Sequence, residues 1–351
     1  MEKDERLMDT ITSLAKRRGF VFPGSEIYGG LAGTWDYGPY GVDLKRNVKN
    51  LWWKMFVDDR DDIYGVDSAI LMNAKVWEAS GHTGAGFTDP VVECTKCRHR
   101  FRSDQLKDAK KCPDCGEALG AERRFNLMFE TKVGAEGAQT SYLRPETAQG
   151  IFVNFKNVVD SLHPSMPFGI AQIGKAFRNE IAPRDFVFRA REFEQMEIEY
   201  FIREADWEWH FDYWQKELRR FIEAVGIAPT KVHEVEVPTS DRAHYSKRTV
   251  DFEFDFPFGR KELYGLAYRT DFDLRNHAHH SGASLVYPDE KTGEPFIPHV
   301  IEPSLGVDRT ILAILCSAYR EDTLGGEKRA YLALDPKIGP VKAAVFPLLK
   351  H

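Results

Sequence analysis

The sequence predicts an α+β protein in which helices flank antiparallel strands and a small cysteine-bearing module is inserted. Three patterns carry that expectation. Apolar residues recur at helical spacing in "VDLKRNVKNLWWKMFV", residues 42–57, and polar and apolar residues alternate from Arg191 to Tyr200. Four of the five cysteines fall in two CxxC pairs. At 351 residues the chain can bury a large core and hold more than one domain. With 48 Lys plus Arg against 54 Asp plus Glu, the formal charge of -6 excludes a wholesale basic surface, though a local basic stripe can still bind phosphates. No apolar run approaches membrane-spanning length and "MEKDERLMDT" has no hydrophobic signal core, so a cytoplasmic location is expected.

In chain order, Leu7, Ile11 and Leu14 mark a first helix, and Val48, Leu51, Trp52 and Met55 a second. The Gly-rich, aromatic "YGGLAGTWDYGPYG" connects them. Both stripes read as core, with packing against a partner subunit open for the second. "TAQGIFVNFKNVVD" reads as a third helix and "ADWEWHFDYWQKELRRFIEAV" as a longer one, its stripe from Trp207 to Phe221 serving as packing. There is no internal repeat and no low-complexity tract.

The insert contains "CTKCRHRFRSDQLKDAKKCPDCGE", with fourteen residues between Cys97 and Cys112. Two CxxC turns, Cys94/Cys97 and Cys112/Cys115, bring four thiolates into a tetrahedron that suits Zn2+; iron accepts the same ligands. A closed thiolate shell leaves no position for substrate, so the metal is read as structural. Lys96, Arg98, His99, Arg100, Arg102, Lys107, Lys110 and Lys111 suit either nucleic acid or a solvated face.

"GIAQIGKAFRNE", residues 169–180, comes within one residue of a phosphate-binding loop, with Ala176 where Ser or Thr would hold magnesium. Such a loop opens a helix, whereas Asn179, Pro183 and Asp185 mark a turn here. Beyond it, Met196, Ile198 and Tyr200 share one strand face, and Arg191, Phe193, Gln195, Glu197 and Glu199 the other. Two antiparallel strands would present Arg178, Glu180 and these groups to one cavity, or form a solvated face laced with ion pairs. In "IPHVIEPSLGVDRTILAILCSAY" an apolar run ends in Glu302, Pro303 and Ser304 before an apolar helix. Arg309 in its first turn opposes the helix dipole, which suits a ligand-facing role; Cys316 reads as packing.

The "FRNE … RxREFEQxEIEYF" block resembles the second signature motif of class II aminoacyl-tRNA synthetases, and "EPSLGVDR" their third. "WDYGPYGVDLKRN", "ASGHTGAGFTDP", "LRPETAQGIFVNF", "DRAHYSKRTVDFEF" and "ELYGLAYRTDFDL" are similar to the homodimeric glycyl-tRNA synthetase family. The likeness runs from about residue 8 to the end. It implies a six- or seven-stranded antiparallel catalytic sheet and a homodimer supported by about Tyr37 to Phe56. It implies catalytic parts at 1–89 and 121–335 around the insert at 90–120, and at 336–351 the first strand of an α/β anticodon-binding domain. On that reading the chain activates glycine but charges tRNA poorly.

The same resemblance implies the roles. ATP, with Mg2+, and glycine give glycyl-adenylate, and the glycyl group then moves to tRNA. Arg178 grips the α-phosphate and the substrate carboxylate, Glu180 faces the adenine amino group, and Arg189 and Arg309 hold the γ-phosphate. Phe193 and Arg309 sandwich adenine, and Glu302 contacts the magnesium. Arg144, Glu146, Glu197, Glu302 and Ser304 form the glycine pocket, with Glu262 and Arg269 close by. His277, His279 and His280 read as loop residues or contacts to the tRNA end. Relatives of these synthetases serve as noncatalytic accessory subunits of a mitochondrial DNA polymerase, and that binding role is the alternative; Arg178, Glu180, Phe193, Glu302 and Arg309 together argue against it.

Overall fold

The computed structural model describes residues 2–106, 108, 110–135, 139–289 and 292–348, so Lys107 and residues 349–351 lie outside the described residues. The helices are α1 (Glu2–Arg17), α2 (Pro39–Trp53), α3 (Ala74–Ala79), α4 (Ala148–Leu162), α5 (Trp207–Ala224), α6 (Phe272–Ser281) and α7 (Val307–Ala318). The central sheet is built from β1 (Ile63–Gly65), β2 (Phe168–Phe177), β3 (Glu192–Ile202), β4 (Val232–Glu236), β5 (Arg248–Phe256), β6 (Gly259–Thr270) and β7 (His299–Gly306). Their spatial order is β4-β5-β6-β7-β3-β2-β1.

The expected wholly antiparallel sheet needs one correction. β1 pairs parallel with β2, Ile63 opposite Gly169. Parallel neighbours need a crossover of about a dozen residues or more, and the excursion from Gly65 to Phe168, which carries the insert and α4, supplies it. All other pairings in this sheet are antiparallel.

Pro39 opens α2 at a position where its missing N–H costs nothing. Leu44, Val48 and Trp52 are buried along one face, and a π turn over Lys54–Asp58 carries Phe56 into the same core. The Phe56 ring lies 5.7 Å from those of Trp52 and Trp214 and 5.8 Å from that of Phe221. The π turn therefore packs within the chain against α5, and α2 itself against α7; burying one such ring contributes about 1.5–3 kcal/mol.

Alternation along β3 separates two cores. Met196, Ile198, Tyr200 and Ile202 join the cluster under α1, α2, α5 and α7. Phe201 joins the opposite cluster with Phe155, Phe168 and Leu274 from α4, β2 and α6. Gln195, Glu197 and Glu199 share the Phe201 face and are buried as well. That face is thus apolar at one end and acidic at the other.

The look-alike phosphate loop lies within β2 as far as Phe177, and no α-helix follows it before β3, only a single 3-10 turn over Phe186–Phe188. The chain instead reverses through Asp185 and Phe186, both left-handed at φ 60 and 57. In the insert, Thr88–Glu93 is the central strand between Arg100–Arg102 and Arg123–Asn126, so its sheet reaches a few residues beyond 90–120. Near the C-terminus a hairpin pairs Tyr319–Leu324 with Glu327–Leu332. The strand expected after Gly339 does not form over 341–348, where Val345 and Leu348 are each 97% exposed and no neighbouring strand offers a ladder. Among the described residues no helix is long and apolar enough to cross a membrane.

Candidate active site

The β2–β3 loop is fixed by its own backbone. The Arg178 N–H donates to the Arg191 carbonyl (2.9 Å) and the Asn179 N–H to that of Leu127 (2.8 Å). Arg178 Nε donates to the Pro145 carbonyl at 3.1 Å, holding the guanidinium 5.6 Å from the Phe87 ring and 5.4 Å from that of Phe193. Glu180 is buried, 3.0 Å from Arg189 Nε. At the start of α7, Arg309 lies 4.5 Å over the Phe188 ring and 3.1 Å from Glu262. Arg191, expected on the cavity face, turns away and donates to the carbonyls of Glu180 (3.1 Å) and Ala32 (2.5 Å).

Arg178, Glu180, Arg189, Phe193 and Arg309 line one cavity of about 490 Å³ together with Glu146, Glu197, Glu302 and Ser304. Sheet register assembles the acidic end: Glu197 faces Gln172 on β2 and Ser304 on β7. Its carboxylate accepts from Thr147 Oγ1 (2.5 Å) and Ser304 Oγ (2.7 Å). Glu302 accepts from Arg269 at 2.5 Å, and Arg269 donates twice to Asp273 at 2.8 Å while stacking 3.8 Å from the Tyr245 ring. Glu146 lies 3.2 Å from His82 Nε2 and accepts from Gln149 at 3.0 Å; His82 Nδ1 lies 2.8 Å from Ser80 Oγ.

Burial pushes the Glu302 carboxyl up to about 8, with Glu197 and Glu146 adding to it against Arg269. Glu197 is raised by burial and then by Glu146. Glu146 moves the other way: burial opposes it, but the neighbouring His82 holds it below the usual carboxylate range. Asp251, also on the cavity wall, is pushed up to about 7 by burial and by Glu262 and Glu253. The acidic end therefore carries more carboxyl groups than Arg269 can match, which suits a small cationic ligand.

Arg144 stands outside the cavity lining. It is 2% exposed and donates to the carbonyls of Lys175 (2.6 Å) and Ser68 (2.7 Å). A Cβ on Gly174 would come within 2.2 Å of Arg144 Nη2, so the glycine of the look-alike loop makes room for this guanidinium rather than for a phosphate. His277, His279 and His280 lie on α6 and not in a loop, because the helical run from Phe272 continues through them; His277 is buried against Gln149 at 2.7 Å. No metal-sized cluster of described residues includes them.

Sequence reasoning missed a second network. Asp308 accepts from Tyr37 (2.5 Å), Lys45 (3.3 Å) and the Glu194 backbone N–H (2.7 Å), while Glu194 pairs with Lys45 (3.0 Å) and Lys49 (2.7 Å). This ties α2, β3 and α7 together beside Arg309. Alternation fixes which face a residue takes, but not which distant strand or helix faces it.

In the insert, Cys94 and Cys115 Sγ are 3.5 Å apart, Cys97 and Cys112 Sγ 3.6 Å, and all four lie within 4.8 Å of one another. With Zn–S bonds of about 2.3 Å a tetrahedron has edges of about 3.8 Å, so the donor set fits zinc. Much of the surrounding basic charge is paired internally: Lys96 with Glu117, His99 with Asp114, Arg98 and Arg100 with Glu93, and Arg102 with Asp89 and Asp104. That pairing favours a solvated face over a nucleic-acid patch.

Residues 129–318 match the tRNA synthetase class II core domain (G, H, P, S and T). The chain is 51% identical over 381 residues to the glycine--tRNA ligase of Clostridium acetobutylicum, covering 99% of this chain and 82% of that protein. It is 50% identical over 374 residues to that of Caldanaerobacter subterraneus subsp. tengcongensis, covering 98% and 81%. Among solved structures, Giardia lamblia prolyl-tRNA synthetase in complex with prolyl-adenylate superposes with a TM-score of 0.66 at 14% identity, a likeness of fold alone, covering 97% of this chain and 56% of that one. With the match of the class II core to more than half of the chain and half-identity along almost all of it, the chain belongs to the glycine--tRNA ligase family.

Proposed function

We infer that the cavity performs ATP-dependent activation of glycine and that the chain passes the glycyl group to tRNA. One observation carries the assignment of residues: arginines suited to phosphates and an unmatched carboxyl cluster suited to an ammonium line the same cavity. The glycine carboxylate attacks the α-phosphorus, the bond to the bridging oxygen breaks, and pyrophosphate leaves; a terminal ribose hydroxyl of tRNA then displaces AMP from the adenylate. No enzymic nucleophile is needed, so catalysis consists of positioning and charge stabilisation.

Arg178, held by the Pro145 carbonyl and the two flanking rings, is aimed to bridge the α-phosphate and the glycine carboxylate. Arg189 and Arg309 take the γ-phosphate, their present partners Glu180 and Glu262 releasing them to it. Glu180 faces the adenine amino group, and Phe193 and Arg309 flank the ring. Magnesium enters as part of the MgATP substrate. Glu146, Glu197 and Glu302 hold the ammonium, and Ser304 fixes Glu197. Because glycine has no side chain to grasp, selection comes from walls that leave no room for a Cβ. Arg144 supports those walls from behind.

The homodimer remains the proposed assembly. A cleft of about 720 Å³ along α2, lined by Tyr37, Val42, Arg46 and Lys49, lies on the stretch from about Tyr37 to Phe56 that the family resemblance assigns to a second copy. Sedimentation of the purified chain tests it.

Glycine-dependent exchange of labelled pyrophosphate into ATP tests the chemistry, with Arg178→Lys beside the wild type. Lysine keeps the charge but loses the planar fork, so exchange should fall about 10²-fold or more. Unchanged exchange in Arg178→Lys would remove Arg178 from its assigned place; no exchange by the folded wild type would favour the accessory-subunit reading.

A further inference from the structure

The stretch "ASGHTGAGFTDP", residues 79–90, stands outside the cavity lining, and its part in the chemistry above is limited to Phe87 beneath Arg178. His82 in this stretch is buried, and its ring meets the Trp77 ring edge-on at 5.6 Å. Ser80 follows α3 directly, and Gly81, at φ 81, turns the chain so that Ser80 Oγ comes 2.8 Å from His82 Nδ1. The other ring nitrogen, Nε2, lies 3.2 Å from Glu146 Oε2.

Glu146 is held by its second oxygen as well. Gln149, fully buried in the first turn of α4, donates from Nε2 to Glu146 Oε1 at 3.0 Å and to Asp273 Oδ1 at 3.1 Å. Its carbonyl oxygen meets His277 Nε2 at 2.7 Å, which fixes the amide the way round that donates to the two carboxyls. Both oxygens of Glu146 are thus gripped while the residue lines the cavity. Burial works against its charge, but the neighbouring His82 prevails and keeps the carboxyl ionised. Nε2 must then carry a hydrogen, since a bare ring nitrogen would set its lone pair against a carboxylate. A carboxylate offers about four lone-pair sites, so the two grips leave about two for a ligand.

Released at Oε2, this carboxylate is free to turn toward Arg269, the guanidinium that already draws Asp273 and Glu302. Held at both oxygens, it keeps one direction before the ligand arrives, and binding does not have to order it.

We propose that His82 is a positioning residue for glycine activation: its Nε2–H, with Gln149 opposite, aims the Glu146 carboxylate at the substrate ammonium. The role rests on the reading that Glu146 receives the ammonium. His82 itself touches no substrate and acts through Glu146.

Glycine-dependent pyrophosphate exchange on the full chain tests it, using wild type, His82→Asn, His82→Gln, Ser80→Ala, Glu146→Gln and the double variant His82→Asn with Glu146→Gln. An Asn amide stands near the place of Nδ1 and reaches Ser80 only, whereas a Gln amide stands near that of Nε2 and reaches Glu146. Glycine KM should rise about tenfold in His82→Asn and stay within about threefold of wild type in His82→Gln, with kcat and ATP KM unmoved in both. In the double variant His82→Asn should add less than about twofold to Glu146→Gln, because the carboxylate it aims is already gone. Equal rises in Asn and Gln, or an unmoved glycine KM in Asn, overturn the proposal, as does an Asn effect that adds in full to that of Glu146→Gln. If His82→Asn fails to fold, Ser80→Ala decides: loosening the ring should raise glycine KM about threefold with ATP KM unmoved, and no rise overturns the clamp. Failure of the underlying glycine reading is separate. It leaves glycine KM unmoved in Glu146→Gln, whereas failure of the clamp alone raises it there and not in His82→Asn.

Discussion

Two buried polar regions of the same sheet use the same residue types to opposite ends. Around Asp308, two carboxylates, Asp308 and Glu194, meet two ammonium groups, Lys45 and Lys49, and a Tyr37 hydroxyl and a backbone N–H add donors. Around Glu302, the carboxyls of Glu146, Glu197, Glu199 and Asp273 crowd a single guanidinium, Arg269, with His82 at the edge. The first region lacks nothing and knits helices to the sheet. The second lacks a cation, which on the proposed reading the ammonium of glycine supplies. Buried charge is therefore not in itself a mark of function; unmatched buried charge is.

The largest effect should come from breaking the matched region. Asp308→Ala strands the Tyr37 hydroxyl and the Glu194 N–H and leaves Lys45 to Glu194 alone, and should cost about 3 kcal/mol of folding stability in denaturant unfolding. Glu302→Gln removes one of the surplus carboxyls and should leave the stability of the ligand-free protein unchanged or raised. Its cost should fall on glycine, whose KM should rise about tenfold to a hundredfold through loss of a charged hydrogen bond, while ATP KM holds. Equal losses of stability in the two variants would erase the distinction between the regions.

The pH dependence sharpens the same contrast. Without glycine, Glu302 keeps its proton up to about pH 8, because burial and then Glu197 and Glu146 outweigh Arg269. The ammonium favours the ionised carboxylate, so binding below that pH expels a proton. Glycine KM should therefore fall as pH rises, by up to about tenfold per unit, and level off above the transition. Glu302→Gln should flatten the profile. Asp251, pushed up to about 7 by burial and by Glu262, lies near Arg309 and should show in ATP KM instead. A glycine profile with no slope near pH 8 in the wild type would count against Glu302 as the titrating ligand.

Much of this was legible before folding. The alternation in β3 gave the cavity face from Phe193 to Glu197, with Glu199 on the same face but buried behind the lining, and the CxxC spacing gave the thiolate cluster, because both are local patterns. Arg144, Asp308 and the parallel edge strand β1 were not, since their partners come from remote parts of the chain: Ser68 and Lys175, Tyr37 and Lys45, and Gly169. The resemblance supplied Glu146 and Glu302 as glycine residues. Only the sheet register showed that Glu199 stands behind them.

The smallest effect should follow removal of the metal, and its direction is set by where the insert touches the cavity. The thiolate cluster closes the three-stranded sheet whose central strand begins at Thr88, next to Phe87, and whose last strand ends at Asn126, next to Leu127. Phe87 lies under Arg178 at 5.6 Å, and the Leu127 carbonyl accepts the Asn179 N–H at 2.8 Å. Loosening this sheet should therefore reach the phosphate end of the cavity and not the carboxyl cluster. Loss of one such cation–π contact costs about 0.5–1 kcal/mol, so ATP KM should rise about two- to fivefold in Cys94→Ser or after chelation. Glycine KM should be unchanged, and hydrogen exchange should quicken across 88–126. Elemental analysis of protein purified without chelator should return one zinc per chain. An absence of zinc, or a shift in glycine KM as large as that in ATP KM, would overturn a structural metal that acts through Phe87 and Leu127.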